Sequence, residues 1–397
     1  MLEGLKVVEL ATYIAAPGAG GIMADWGAAV VKVESPAHDP IRNFFEGFGE
    51  EFTTNSVFEL DNRGKRGIVL DISKPEGREA LVRLVRGADV FLTNTRPAAL
   101  KRARLDYDAL AAENPRLVYC SVTGYGSEGP DADKPGFDIA SFWARAGVAG
   151  LTIPKAYEPF PIRTGMGDHV TSLATVSAIL AALLERTRTG KGRLVETSLL
   201  RAGVYSVGSD LSIQMRYGRV ASNRTRKESV NPTSNFFKTS DGRWLCLVPR
   251  QGGSDWKDLA RALGRPEIVD DARFANHALR RKHAADLVGA FDEAFGALSF
   301  EDAARLLDGH DLVWAPVQTA RELAVDPQAE AAGCWVDASD GDGVQFRAPA
   351  TPARFPGAET GPRGPAPKPG QHTDEVLTEA GYSAAEIAAM RQAGLLG

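Results

Sequence analysis

In the stretch RTGMGDHVTSL, residues 163 to 173, one carboxylate is placed where it could do chemistry. Asp168 follows Gly165 and Gly167 and opens an almost unbroken apolar run. An aspartate at the start of a helix commonly acts as its N-cap, its oxygens accepting bonds from the first backbone N–H groups. The same geometry suits a nucleophile. The helix dipole holds a carboxylate anionic, and the two glycines let a ligand approach closely. Such a group can attack a carbonyl to give a covalent acyl intermediate. His169 lies next in the chain but projects from another part of a helix, so the two are not read as an acid–base pair. Residue type and spacing leave both readings of Asp168 open.

Three other segments could bind a ligand. Gly18, Gly20 and Gly21 lie in GAGGIM, where Met23 stands in place of the third glycine of a GxGxxG fingerprint. Glu34 falls where a ribose-binding acid would sit, which keeps an NAD-dependent dehydrogenase open. The alternative is that the glycines let a helix pack closely. RPAALKRAR carries Arg96, Lys101, Arg102 and Arg104 just after a strand end at Thr93-Asn94. That is a good place for phosphate, or simply a solvated basic face. SVTGYGSEGP, residues 121 to 130, is a glycine-rich loop at another strand end.

Composition narrows the classes. With a net charge of -5 over 397 residues, a nucleic-acid surface is not expected. Cys120, Cys246 and Cys334 are far apart and odd in number, so they read as reduced core residues in a reducing compartment. The histidines form no HExxH pattern, and no metal site is expected. The N-terminus MLEGLKVVEL has no basic leader pattern, and no run reaches the ~18 apolar residues of a membrane span. A cytoplasmic protein is expected.

These candidates need elements to position them. Short β-rich runs alternate with helical patterns through the first 125 residues. Strands are expected at Leu5 to Leu10, Ala29 to Glu34, Ile68 to Asp71, Asp89 to Leu92 and Leu117 to Val122. Helices are expected at Pro17 to Trp26, from Pro75, and at Tyr107 to Glu113. Such alternation predicts an α/β fold with a parallel sheet covered by helices on both faces, its ligands at the carboxyl ends of the strands. Val170 to Arg186 reads as a helix buried nearly all round, with Gly190 as its stop. Residues 218–231 are polar and read as a linker. Residues 232–340 read as a smaller α+β domain, with a hairpin at Asp241-Gly242 and helices at 254–263, 276–297 and 300–308. Residues 349–370, rich in proline and glycine, read as an extended return strap, and two short helices close the chain. Ser383 and Glu386 form a capping box for the second.

Several of these segments together resemble the class III CoA-transferase family: GLKVVELATYIAAPGAGGIMADWGAAVVKVESP, LDISKPEGREAL, NTRPAAL, GYGSEGP, GMGDHVTSLATVSAILAALLERTRTGKG and GQHTDEVLTEAGYSAAEIAAMR. That family includes formyl-CoA and carnitine CoA-transferases, and its superfamily holds the α-methylacyl-CoA racemases. The likeness runs from residue 2 to the C-terminus and is loosest over 232–340. It implies an interlocked, ring-like homodimer. Each protomer would have a Rossmann-like large CoA-binding domain (1–217 and 341–397) and an inserted small domain. It implies that Asp168 is the nucleophile, passing through a mixed anhydride and an aspartyl-CoA thioester, with backbone N–H groups near Gly165 and Gly167 facing the oxyanions. The CoA thioester is then a substrate and no cofactor is permanently bound. The partners are acyl-CoA, a small carboxylic acid and a second copy of the chain, with no nucleic acid or membrane.

The racemases carry a histidine base where this chain has Phe137, which cannot take an α-proton. Phe137 and Asp138 are therefore assigned with Gly165 and Gly167 to an active-site loop of a transferase. By the same resemblance Tyr13, Ile14, Arg42, Asn94, Thr95, Arg96 and Arg102 are expected to contact CoA. Some members have a basic residue where this chain has Ser35, or lysines where it has Ser73 and Pro135. Lys74 and Lys134, each one place off, are the expected substitutes, along with Arg96. Gln251-Gly252-Gly253-Ser254 is a candidate glycine-rich lid, and Phe44, Phe45, Phe48 and Trp143 are candidates for an acyl wall. An acyl-CoA isomerase would use the same aspartate; a non-catalytic acyl-CoA-binding protein would have no use for it.

Overall fold

The computed structural model describes residues 1–45, 54–248, 255–310 and 312–397. They form two compact units. The larger comprises Met1–Ala149, Phe160–Gly218 and Glu330–Gly397, and the smaller Gly150–Pro159 and Arg219–Ala329.

The larger unit is built on six parallel strands in the order β3-β2-β1-β4-β5-β6. These are β1 (Lys6–Leu10), β2 (Ala29–Glu34), β3 (Arg66–Val69), β4 (Val90–Thr93), β5 (Val118–Thr123) and β6 (Arg193–Ser198). The β-branched content of KVVEL and AVVKVE suits strands buried on both faces. Helices α1 (Ala15–Asp25), α2 (Ser56–Asn62), α3 (Pro75–Arg86), α4 (Pro97–Ala103) and α5 (Tyr107–Glu113) connect them. Pro75 opens α3 where its missing N–H costs nothing, and Arg83 and Arg86 sit in its last turn, where they oppose the dipole. On one face of the sheet Leu81, Val85, Phe91 and Leu110 form a core closed by Val376, Leu377, Ile387 and Met390. Those last four come from the C-terminal helices Thr373–Glu379 and Ala384–Gln392, the second started by the Ser383–Glu386 capping box.

Two short helices follow β5: the π-helix Ile139–Arg145 and α6 (Val148–Thr152), where the chain first leaves the larger unit. Helix α7 (Met166–Thr189) comes next, ended by Gly190 in the left-handed region at φ 71. By length and composition alone α7 could cross a membrane, which the run read from the sequence was too short to suggest. It packs on α1 and on β5 and β6.

The expectation that α7 is buried all round is corrected. Its buried stripe is Thr171, Ser172, Thr175, Val176, Ile179 and Ala182, while Leu173 and Leu184 are exposed. Small residues face α1 because α1 carries glycines there: a Cβ on Gly18 would lie 2.6 Å from Ser172 Oγ. After β6 come α8 (Leu199–Ser206) and α9 (Gly208–Tyr217), the latter with no buried residue.

The smaller unit holds an antiparallel three-stranded sheet, Asn235–Lys238, Trp244–Leu247 and Trp314–Pro316, over a core of Phe237, Trp256, Phe291 and Phe295. The helix expected over 276–297 is broken at His283 into His277–Lys282 and Ala284–Gly296. The unit ends at Ala329, short of 340, because the hairpin Trp335–Ser339/Gln345–Pro349 belongs to the larger unit. Residues 350–370 have no helix or strand. They run beside α2 and β3, where Gly64 N–H donates to Gly364 O at 2.9 Å and Ala366 N–H to Glu59 at 2.9 Å. Cys120 is buried, Cys246 half-buried and Cys334 exposed, so only the first is the core thiol expected of all three.

Candidate active site

The strand order reverses direction between β1 and β4, and at such a point the loops leaving the two strands diverge and open a crevice. Asn94, just past β4, ties the crevice together. It accepts Thr12 N–H at 3.0 Å and donates to Thr12 O at 2.6 Å. The loop after β1 is held from below by charge. Lys32 Nζ, buried on β2, donates to Ala11 O at 2.9 Å and pairs with Asp39 at 2.8 Å; Asp39 in turn accepts Tyr13 N–H at 2.9 Å. Burial opposes the charge on Lys32, but Glu9 and Asp39 outweigh it and hold its pKa above the ordinary value. This scaffold keeps Tyr13 at φ 64, a conformation a side chain this bulky adopts only when its surroundings impose it.

The glycine run of α1 serves the same scaffold. A Cβ on Gly20 would stand 1.9 Å from Glu9 Oε2, and one on Gly21 would stand 2.7 Å from the Asp61 carbonyl. Glu9 is thus held against Lys65 at 2.8 Å; burial pushes the Lys65 pKa down to about 8. The dehydrogenase reading fails here. The glycine positions are filled by packing, and Glu34 is engaged by Arg42 Nε at 2.9 Å and Nη2 at 2.5 Å, leaving no oxygen for a ribose.

A cavity of about 270 Å³ occupies the crevice, and Asp168 lines it with Tyr13, Asn94, Arg96, Lys134 and Phe137. Gly165 precedes α7 in the left-handed region, φ 83, and Asp168 is the third residue of the helix. Its carboxylate caps nothing: the N-cap position is Gly165, and the Asp168 side chain makes no hydrogen bond among the described residues. Burial, with the Asp138 charge next and Asp61 adding, raises its pKa to about 7 against the pull of His169. The carboxylate is therefore not held firmly anionic by the helix terminus, as the sequence had suggested; desolvation wins.

The Gly165 N–H is also taken, donating to Asp138 Oδ2 at 2.9 Å. Among the described residues, the N–H groups left without an acceptor at this terminus are those of Gly167 and Asp168. His169 bonds Asp61 at 3.1 Å and makes no hydrogen bond to the Asp168 carboxylate among the described residues.

Of the residues expected to contact CoA, Tyr13, Ile14, Asn94, Arg96 and Lys134 line the cavity with Phe137, Asp138 and Asp168. Thr95, Lys74 and Arg102 do not. Arg42 is spent on Glu34 and on the Phe58 ring, 4.0 Å from its centroid. Asn94 uses both ends of its amide on Thr12. Lys134 pairs with Asp131 at 2.6 Å, and exposed Arg96 has no ion-pair partner among the described residues. Phe137 meets Tyr13 edge to face at 5.1 Å. Phe44 lines the cavity, whereas Trp143 is core, its indole N–H on Phe160 O. Phe48 and the candidate lid at 251–254 lie outside the described residues. The sequence had no signal for the contribution of Asp39, Lys32 and Glu9, since charged residues within strands do not announce burial.

Comparison with known proteins places the chain in a family. The model of CoA-transferase family III matches residues 2–373. The (R)-2-hydroxy-4-methylpentanoate CoA-transferase of Clostridioides difficile is 34% identical over 389 residues, covering 98% of this chain and 97% of the relative. The cinnamoyl-CoA:phenyllactate CoA-transferase of Clostridium sporogenes is 32% identical, covering 98% and 95%. A crystal structure of a CaiB/BaiF family protein from Brucella suis superposes with a TM-score of 0.84 at 32% identity, covering 96% of this chain and 99% of that one. By the family model and these relatives, the chain belongs to CoA-transferase family III and is an enzyme of that family.

Proposed function

We propose that this CoA-transferase works through covalent catalysis on Asp168, moving CoA from an acyl-CoA thioester to a carboxylic acid. The observation that carries the reading is the Asp168 carboxylate itself, in the cavity wall, desolvated and without a hydrogen-bond partner among the described residues. A carboxylate is a weak nucleophile in water and a better one when stripped of solvent and aligned.

One carboxylate oxygen attacks the thioester carbon, the C–S bond breaks, and a mixed anhydride and CoA thiolate result. The thiolate attacks the Asp168 carbonyl, releasing the donor carboxylate and leaving an aspartyl-CoA thioester. The acceptor carboxylate attacks this carbonyl, expelling thiolate and forming a second anhydride. The thiolate then takes the acceptor acyl group and restores Asp168. No proton or electron is gained or lost. The unpaired N–H groups of Gly167 and Asp168 are suited to the oxyanions. Arg96 and Lys134 supply positive charge for phosphate, and no resident cofactor or metal is needed. A cavity of about 270 Å³ suits the reacting end of the substrate better than all of CoA.

The same reading has two copies interlocked. Its support is the surface left bare on α7 to α9, where Tyr205 is 88% and Met215 86% exposed. A reducing cytoplasmic setting is supported by three unpaired cysteines, and neither membrane nor nucleic acid is assigned as a partner.

The test is to incubate enzyme with an acyl-CoA donor, trap with hydroxylamine or borohydride, and map the modified peptide. Label is expected on Asp168; Asp168→Ala and Asp168→Asn should abolish transfer while the fold persists. Sustained turnover with no label there, or full activity in both variants, removes the mechanism. 2-Hydroxy acids such as those named for the relatives are the first acceptors to try.

A further inference from the structure

His169 and Asp61 form a pair that the transfer steps do not use. Asp61, on α2, is 3% exposed. Its Oδ1 meets His169 Nε2 at 3.1 Å, and its Oδ2 is buried with no hydrogen-bond partner among the described residues. The glycines of α1 bring α2 this close, since a Cβ on Gly18 would stand 3.1 Å from Asp61 Oδ1. The imidazole lies over the turn that begins α7: a Cβ on Gly165 would be 3.6 Å from His169 Cε1.

A buried carboxylate with one bare oxygen is costly unless a counter-charge is attached. Among the described residues the cation hydrogen-bonded to Asp61 is His169. Lys65 is nearby, but it donates instead to Glu9, Pro17 O and Asn62. The Asp61 hydrogen bond raises the His169 pKa above the ordinary value, against burial.

We propose that His169, kept as an imidazolium by Asp61, is a positioning residue whose charge favours the carboxylate form of Asp168 over the protonated one. The proposal rests on Asp168 being the nucleophile. The charges facing Asp168 are Asp138 from the loop before the π-helix and Asp61 from α2, which favour its protonation, and His169 from its own helix, which opposes it. Arg96 and Lys134 line the same cavity. His169 itself faces Asp61, Asp168 and Asp138, and shares a second cavity of about 200 Å³ with Asp25, Asp61 and Arg63. Next to Asp168 in the chain and fixed by a buried partner, its charge is independent of bound substrate.

The experiment compares the pH dependence of kcat/KM in wild type, His169→Gln and His169→Lys, with hydroxylamine trapping in each and NMR titration of the wild-type imidazole. In His169→Gln, which keeps a donor for Asp61 without charge, the acid limb should move up by about one pH unit. His169→Lys should restore it, and the wild-type imidazole should titrate above its ordinary value. An unmoved limb in His169→Gln with label still on Asp168 overturns this proposal alone, as does an imidazole titrating at or below the ordinary value. Turnover without label on Asp168 overturns the nucleophile and this proposal together. If His169→Lys fails to fold, the Gln limb and the wild-type titration decide.

Discussion

Asp138 accepts the backbone N–H of Gly165 at 2.9 Å, and its other oxygen accepts Ile139 N–H at 2.8 Å. One buried side chain, 5% exposed, thereby latches the start of the π-helix to the left-handed turn that aims α7 at the cavity. The same link sets a second carboxylate beside Asp168 and raises its pKa.

Latch and charge separate by mutation. Asp138→Asn keeps one acceptor oxygen, enough for Gly165 but not also for Ile139, and removes the charge, so the acid limb of kcat/KM should fall by roughly half a pH unit to one unit. Asp138→Ala frees the turn, and kcat should fall by about tenfold or more. Profiles of both variants check this; an Asn variant with an unmoved limb would show that the Asp138 charge does not reach Asp168.

Asp168 costs the fold stability. Its pKa is about 7 in the folded chain and near the ordinary aspartate value when unfolded. The folded state therefore favours the protonated form. The penalty is absent below the unfolded value, grows as pH rises toward 7, and is complete above it. Asp168→Asn should stabilise the protein by about 1–3 kcal/mol at pH 8, after allowance for solvent screening, and by almost nothing near pH 4. Urea unfolding at the two pH values measures the difference, and equal gains at both would contradict the shift.

The loops after β5 are set by two glycines packed backbone to backbone. A Cβ on Gly136 would lie 2.6 Å from Gly124 Cα and 2.6 Å from Ser141 Oγ. Both glycines line the cavity. Gly136→Ala should cost about 1–3 kcal/mol by overpacking and raise KM for the acyl-CoA. Thermal unfolding and steady-state kinetics are the readouts; a variant unchanged in both would mean the loops adjust freely.

Arg96 is the exposed cation at the cavity mouth with no carboxylate partner among the described residues. Arg96→Ala should raise KM for CoA substrates by about tenfold, leave kcat within about twofold, and leave Tm unchanged. Arg42→Ala should behave oppositely, losing stability because Glu34 and Phe58 lose their partner. Equal effects of the two variants on KM would argue against this division of roles.

What the sequence determined by itself was local. Alternating β-rich and helical runs announced the parallel sheet, Ala29–Glu34 and Tyr107–Glu113 were legible to the residue, and Gly190 and the Ser383–Glu386 box marked helix ends. Each depends on neighbours a few residues apart, which the chain spells out directly. Motif order likewise showed the family and singled out Asp168.

Tertiary structure decided the rest, because burial and charge are summed over residues distant in sequence. It made Asp168 a desolvated third residue of the helix instead of a cap, and it gave Glu34 to Arg42. It turned the α1 glycines toward Glu9, Asp61 and Ser172, and left Leu173 and Leu184 of α7 facing outward. A 3.6-residue period says that a helix has an apolar face; only the packed neighbours say which face is covered, and at what cost a carboxylate keeps its charge.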